Sequence, residues 1–139
     1  MPSFGSASQK RLATLHPDLQ TIMHEAIKVM DFSIVCGYRI EEAQNKAFED
    51  GASTKQWPDS KHNQDPSIAV DIAPWDPYMR NGKGGIDWQN TDRFILLAGI
   101  VKGIAHTLEI PIRWGGDFDN DTFIKDQSFI DMPHIELVL

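Results

Sequence analysis

The sequence predicts a small α+β domain in which a mostly antiparallel sheet packs on helices. Residues 17–30 and 91–108 carry apolar side chains at helical spacing. Short apolar segments bounded by glycine, proline and polar residues indicate strands between these helices. The 139 residues fit one domain of ordinary size, because a typical domain holds roughly 100–200 residues. We therefore expect residues 1–139 to form a single domain.

Four helices are predicted from apolar stripes and end signals. A short helix is expected over residues 9–15, after a serine that suits an N-cap. The next spans 17–30 and begins with proline, which fits the first turn of a helix. Residues 41–50 form the third, with Gly51 ending it. The helix over 91–108 has the widest apolar face, so we expect it to be the main core element.

Four strands are predicted from short apolar segments. They span residues 32–36, 68–73, 112–114 and 134–138. The last alternates apolar and polar side chains, which is typical of a strand with one buried face. The second strand carries one carboxylate, Asp71, inside an otherwise apolar segment. Such a carboxylate is costly to bury unless it is paired or binds a metal ion.

Charge and composition exclude several classes of protein. The 13 Lys and Arg against 20 Asp and Glu give a formal net charge of −7, which argues against nucleic-acid binding, since that needs a cationic surface. No apolar run approaches the roughly 18 residues of a membrane helix, so we expect no membrane insertion. The N-terminal residues lack the apolar core of a secretory signal peptide. A single cysteine excludes an internal disulfide framework.

Three residues scattered along the chain are candidate metal ligands. His62 lies in a long polar loop, nine residues before Asp71, and His134 begins the last predicted strand. Two histidines and one carboxylate match the ligands of a catalytic zinc site, which leaves a fourth position open for water. From residue type and spacing alone, structural roles for these side chains remain the more common alternative.

Five motifs follow one another along the chain. They are Gly37-Tyr38-Arg39 followed by Gln44, Ser60-Lys61-His62, Ala69-x-Asp71, Trp114-Gly115-Gly116-Asp117 and Asp131-x-x-His134. In this order they resemble the superfamily of VanY-like zinc D-Ala-D-Ala carboxypeptidases and L-alanyl-D-glutamate peptidases. The resemblance runs from about Phe4 to the C-terminus and is closest to short, single-domain bacteriophage endolysins. It implies a hedgehog/D,D-peptidase-like zinc site on an α+β fold.

The resemblance also implies a role for each residue of the site. His62, Asp71 and His134 would hold Zn²⁺, Asp131 would be the general base, and Arg39 would face the developing oxyanion. These roles agree with general chemistry, because zinc lowers the pKa of bound water and polarises an amide carbonyl. Without the resemblance, Arg39 is equally a surface ion-pair partner and Asp131 a loop cap.

The function implied is hydrolysis of the peptidoglycan stem peptide between L-Ala and D-Glu by a phage endolysin. A D-alanyl-D-alanine carboxypeptidase is the alternative enzyme, and a non-catalytic peptidoglycan-binding module is the alternative of another class. Without a signal peptide, we expect a protein of the host bacterial cytoplasm that reaches the cell wall at lysis. Residues 1–139 would then be one catalytic peptidase domain, monomeric and without a separate wall-binding domain.

The chain departs from the family pattern in one loop. The superfamily usually has seven residues from the histidine to the aspartate, whereas His62 and Asp71 are nine apart, with Ser67 in place of a glycine. Loops tolerate such insertions, so we expect both ligands to be retained. Four further residues are candidates for contacting the substrate: Gln44, Trp57, Ser60 and Trp75.

Two other features have alternative interpretations. Asp117, Asp119 and Asp121 alternate like the first ligands of an EF-hand, and Ca²⁺ bound there would be a regulator. The EF-hand glycine is replaced by Thr122, so a solvated acidic loop is the alternative. Cys36 lies in an apolar strand with no sequence neighbour that lowers its pKa, so we expect an inert thiol rather than a Cys–His hydrolase.

Overall fold

A four-stranded antiparallel sheet with helices packed on it forms the fold. The computed structural model describes residues 2–124, 127 and 130–139. The sheet has the order β1-β2-β4-β3, and every neighbouring pair is antiparallel. The α+β class is thereby confirmed. The elements are α1 (Ser6–Leu12), α2 (Pro17–Ala26), β1 (Phe32–Cys36), α3 (Glu41–Glu49), β2 (Ala69–Pro74), α4 (Met79–Gly82), α5 (Thr91–Thr107), β3 (Ile112–Trp114) and β4 (His134–Leu137).

The predicted and observed elements differ mainly at the helix ends. Helix α1 begins at Ser6 rather than after Ser8, whose hydroxyl accepts a hydrogen bond from the Ile34 amide instead of capping the helix. Helix α2 ends at Ala26, before the predicted Met30. Helix α4 was not predicted, since it is a distorted turn in which Arg80 and Asn81 have positive φ angles and no apolar stripe forms.

One face of the sheet and the helices enclose the apolar core. Val70 and Ile72 of β2 and Ile135 of β4 are buried there against α5, which also packs on α2. Successive side chains of a strand point to opposite faces, so the alternation that buries these residues directs Asp71 and His134 to the other face. Among the described residues, no helix combines the length and apolar character needed to cross a membrane.

Candidate metal centre

Strand register brings the polar side chains of the site together. Asp71 on β2 pairs with His134 on β4, and Glu136 on β4 pairs with Arg113 on β3. These four side chains line a cleft of about 440 Å³ on the sheet face opposite the core. The cleft therefore depends on residues that are more than 60 positions apart in the chain.

His62 enters the cleft from a single 3₁₀ turn, Lys61–Asn63. The Ser60 hydroxyl accepts a hydrogen bond from the His62 amide and so caps this turn. Nδ1 of His62 lies 2.8 Å from the Gly37 carbonyl oxygen. A carbonyl can only accept, so this contact places the ring proton on Nδ1. Nε2 then faces Asp71, 3.4 Å from Oδ1, where it holds a proton in the charged ring and offers a lone pair in the neutral ring.

Asp71 lies between the two histidines. Its Oδ1 is 3.4 Å from His62 Nε2 and 3.4 Å from His134 Nδ1. Burial alone would raise the pKa of Asp71, but the positive charge of the two histidines beside it holds that pKa well below the usual range. Burial would lower the pKa of His62, but the contact with Asp71 outweighs the effect of burial and raises the pKa to about 10. In the absence of metal, protons on the histidines therefore compensate the buried carboxylate.

The donor set fits a metal ion. Oδ1 of Asp71 is buried and has no hydrogen-bond partner in the described part of the chain. An orphaned buried oxygen in a native fold points to an ion or water that satisfies it. Potential ligand atoms of Asp71, Asp131 and His134 lie within 4.8 Å of one another, and so do those of Cys36, His62 and Asp71. Asp71 belongs to both groups, whereas among the described residues no group this compact holds His62 and His134 together. Two imidazoles and a carboxylate form the kind of ligand set that catalytic zinc uses.

His134 is oriented by a carboxylate that sequence reasoning missed. Its Nε2 lies 2.8 Å from Oε1 of Glu136, which leaves Nδ1 facing Asp71. Such a carboxylate behind a ligating histidine fixes the ring and increases its basicity. Burial would raise the pKa of Glu136, but His134 and Lys61 lower it to about 2, so the carboxylate stays ionised. The available signal was its position two residues after His134 in a strand, hence on the same face.

Asp131 lines the same cleft and is held by the Trp-Gly-Gly-Asp motif. The Asp131 amide donates to the Gly115 carbonyl oxygen at 2.9 Å, and the Asp131 carbonyl accepts a hydrogen bond from the His134 amide at 3.1 Å. A side chain at Gly115 would collide with the Asp131 carbonyl, so glycine is required there. Burial and the nearby charge of Asp71 raise the pKa of Asp131. A raised pKa makes a carboxylate a stronger base at neutral pH.

Arg39 reaches the cleft with a fixed guanidinium. Nη2 lies 3.7 Å from Oδ2 of Asp71, and Nη1 donates to Oε1 of Gln44 at 2.9 Å. Gln44 itself is fully buried, and its amide nitrogen donates to the Lys55 carbonyl at 2.6 Å. The Gln44 side chain therefore lies behind Arg39 and orients it, and a contact between Gln44 and the substrate stays a prediction.

The other predicted substrate contacts lie in different places. Ser60 lines the cleft, but its hydroxyl is engaged in capping the His62 turn. Trp57 and Trp75 are not among the described side chains that line the cleft. Trp75 packs instead against Gly84, and its carbonyl accepts a hydrogen bond from Arg93. Contacts of Ser60, Trp57 and Trp75 with the substrate stay predictions.

The longer loop between His62 and Asp71 keeps the two side chains together, with 3.4 Å between Nε2 and Oδ1. Ser67, which stands where the family has glycine, is fully buried. Its hydroxyl donates to the Ala69 carbonyl at 2.6 Å, and its amide donates to the Thr14 carbonyl at 2.9 Å. These bonds tie the end of the loop to the start of β2, so the two extra residues are absorbed before Ser67.

Cys36 differs from its expected inert environment. Its sulfur lies 3.8 Å from His62 Nδ1 and 3.5 Å from Arg39 Nη2. Burial raises the pKa of the thiol, but the contact with His62 and the charge of Arg39 outweigh it, so the pKa is lowered. The expectation that nothing lowers this pKa was wrong. His62 still does not act as its base, because Nδ1 is directed to the Gly37 carbonyl.

The acidic loop contains a buried aspartate. Asp117 is 1% exposed, and its carboxylate accepts hydrogen bonds from the amides of Thr122 at 2.8 Å and Asp121 at 3.2 Å. Lys102 Nζ lies 3.4 Å from the same group. Carboxylate oxygens of Asp117, Asp119 and Asp121 come within 4.8 Å of one another. Asp117 thus organises the loop from inside, and calcium binding stays a prediction.

One face of the antiparallel sheet thus carries a buried His–Asp–His cluster beside a second carboxylate and an arginine. Comparison with known proteins gives the class of protein that shares this fold: it is a class of peptidases. The L-Ala D-Glu endopeptidase ChiX of Serratia marcescens matches with a TM-score of 0.71 and 25% identity, covering 99% of this chain and 91% of its own. The L-alanyl-D-glutamate peptidase of Escherichia phage T5 is 34% identical over 97% of both chains. The family model for phage L-alanyl-D-glutamate peptidases matches residues 2–138, and the chain belongs to this family.

Proposed function

We propose that this protein hydrolyses the amide bond between L-Ala and D-Glu in the peptidoglycan stem peptide. One observation carries the proposal: His62 Nε2 and His134 Nδ1 converge on the orphaned buried oxygen of Asp71. The cleft at this point also holds Asp131 and Arg39, which supply a base and a cation. The similarity to the phage T5 and Serratia enzymes supports this particular bond.

We propose Zn²⁺ as the metal, held by His62, Asp71 and His134. The chemistry of the donor set supports this choice, since two nitrogens and one oxygen leave a position open on a tetrahedral ion. When bound, zinc would polarise the substrate carbonyl and bring the pKa of a water molecule to about 7. Glu136 supports the site from behind by keeping Nδ1 of His134 available.

The residues of the chain carry out the proton transfers. Asp131 accepts a proton as water adds to the carbonyl carbon, and it returns a proton to the amine as the carbon–nitrogen bond breaks. Its buried position and raised pKa suit both steps. Arg39 is held by Gln44 so that its guanidinium faces the cleft, where it stabilises negative charge on the carbonyl oxygen.

We propose that the protein acts as an endolysin when the host bacterium is lysed. The phage relative supports this setting. A D-alanyl-D-alanine carboxypeptidase would use the same five residues, so the products must separate the two activities. A non-catalytic binding module would have no need of Asp131 beside a complete ligand set.

Digestion of purified peptidoglycan tests the proposal. Turbidity should fall when the zinc-loaded protein is added, and mass spectrometry should find new L-Ala carboxyl ends and D-Glu amino ends. The Asp131→Asn variant is the matched control, because it preserves the shape of the cleft and removes the base. Release of free D-Ala alone would indicate the carboxypeptidase. Binding to the wall without any new ends would indicate the non-catalytic module.

A further inference from the structure

Two cations flank Glu136 on the wall of the cleft. Lys61 Nζ lies 2.6 Å from Oε2 of Glu136, and Arg113 Nη1 lies 3.6 Å from the same oxygen. The other oxygen, Oε1, contacts His134. Two positive charges therefore share one carboxylate that is already engaged with a histidine. This part of the cleft carries excess positive charge in a chain whose formal net charge is −7.

Arg113 is the less satisfied of the two cations. Its distance of 3.6 Å to Glu136 is beyond a hydrogen bond, whereas Lys61 makes a short one. Nε of Arg113 is buried and has no hydrogen-bond partner among residues 2–124, 127 and 130–139. The side chain is 36% exposed and lines the cleft beside His134. The buried Nε is out of reach of a ligand, so the partly exposed end of the guanidinium is the part that can meet a ligand in the cleft.

The substrate of the proposed reaction carries a matching group. A glutamyl residue has two carboxyl groups, and only one of them continues the peptide. The other is a free carboxylate within a few bonds of the scissile amide. Arginine presents a planar set of donors that pairs with a carboxylate through two parallel hydrogen bonds.

We propose that Arg113, assisted by Lys61, recognises the free carboxylate of the glutamyl residue that follows the scissile bond. This inference rests on the proposed function. Arg113 is thereby a specificity-determining residue: it contacts the substrate away from the reacting atoms. A carboxamide in place of that carboxylate has no charge and presents N–H groups to the arginine donors, so it binds poorly there.

Two synthetic peptides and one substitution test this role. The peptides contain the same L-Ala–D-Glu bond and differ only in whether the free group is a carboxylate or a carboxamide. The zinc-loaded wild-type protein should prefer the carboxylate by about 10–100-fold in kcat/KM, as expected for a charge-assisted hydrogen bond. Arg113→Gln should lose that preference, mainly through a higher KM for the carboxylate peptide. Arg113→Lys should keep part of it, because the charge remains.

Lys46→Gln is the matched control, since it removes one positive charge from an exposed position on α3. It should leave the preference unchanged. If Arg113→Gln and Arg113→Lys lower kcat/KM equally for both peptides, Arg113 acts only through Glu136 and the inference is overturned. Equal cleavage of both peptides by the wild type would overturn the inference while the proposed function stands. Cleavage of neither peptide would contradict the proposed function and the inference together.

Discussion

The cleft and the acidic loop each place three potential metal ligands within 4.8 Å of one another, but they differ in what surrounds those ligands. In the cleft, Asp71 has a buried oxygen with no hydrogen-bond partner in the described residues. In the loop, the buried carboxylate of Asp117 accepts two backbone amides and faces Lys102. The cleft thus needs a cation to balance its buried oxygen, whereas the loop is already satisfied from within.

The two regions also differ in how rigidly the fold holds the candidate ligands. His134 and Asp71 lie on paired strands, and Glu136 fixes the ring of His134. Asp119 and Asp121 are on an irregular segment. Preorganised ligands bind a metal with less ordering cost. We therefore expect the cleft to bind metal more tightly than the loop, and the following experiments test that difference.

The largest effect is expected from His134→Ala. It removes one ligand from the proposed metal site, so zinc content and peptidase activity should both fall to background. Asp119→Ala in the loop is the matched control and should keep its zinc. Metal analysis and peptide cleavage assays measure both. Full zinc occupancy in the His134 variant would show that the ligand assignment is wrong.

Asp131→Asn should separate base catalysis from metal binding. The amide keeps the shape of the side chain but cannot accept the proton, so kcat should fall by roughly 10²–10⁴, the usual contribution of a positioned base. Zinc content should not change. Activity within a few-fold of wild type would contradict the base role, and loss of zinc would indicate that Asp131 is itself a ligand.

Glu136→Gln should lower the zinc affinity of the cleft without removing a proposed ligand. Outer carboxylates behind a ligating histidine typically account for 10–100-fold in metal affinity or activity, and we expect a loss of about that size. Competition with a chelator measures the affinity. Unchanged zinc affinity would mean that Lys61, Arg113 and the strand hold His134 without the carboxylate.

The pH dependence of stability should differ between metal-free and zinc-loaded protein. His62 has a pKa raised to about 10 in the metal-free fold, against about 6.5 when unfolded. The contribution of protonated His62 to the free energy of unfolding is therefore complete below pH 6.5. It is lost as the pH rises toward 10, at up to about 1.4 kcal/mol per pH unit. Bound zinc replaces the proton, so the loaded protein should not show this loss. Urea unfolding at pH 6.5 and 9.5 measures this loss, with metal-free His62→Ala as the control. If the free energy of unfolding changed equally with pH in the metal-free and the zinc-loaded protein, the expectation would be contradicted.

The smallest effect is expected in the acidic loop. If calcium binds there, activity should rise a few-fold with added Ca²⁺, and Asp119→Ala or Asp121→Ala should blunt the rise without changing zinc content. The loop lies between the Trp114 motif and Asp131, so ordering it would help to position the base. Equal activity in calcium and in a calcium-selective chelator would leave the loop as a solvated acidic segment.

Much of the fold was predictable because local patterns specify local structure. Strands β1 and β3 begin and end at the predicted residues, and α5 begins at Thr91 as predicted. These elements have strong apolar patterns and clear end signals. The end of α2 was not predicted, because the apolar spacing continues to Met30 while the chain after Ala26 forms turns. The distorted turn α4 was not predicted, because it contains two residues with positive φ angles and no apolar period.

The sequence by itself determined the residue types of the site and, through motif resemblance, assigned roles to His62, Asp71, Asp131, His134 and Arg39. Those roles stay predictions for the experiments above. Only the tertiary structure showed that Glu136 orients His134, that Gln44 is buried behind Arg39, and that Arg113 lines the cleft beside Glu136. The physical reason is separation along the chain. Lys61 and Glu136 are 75 residues apart, and only the antiparallel register of the sheet brings such residues to one face.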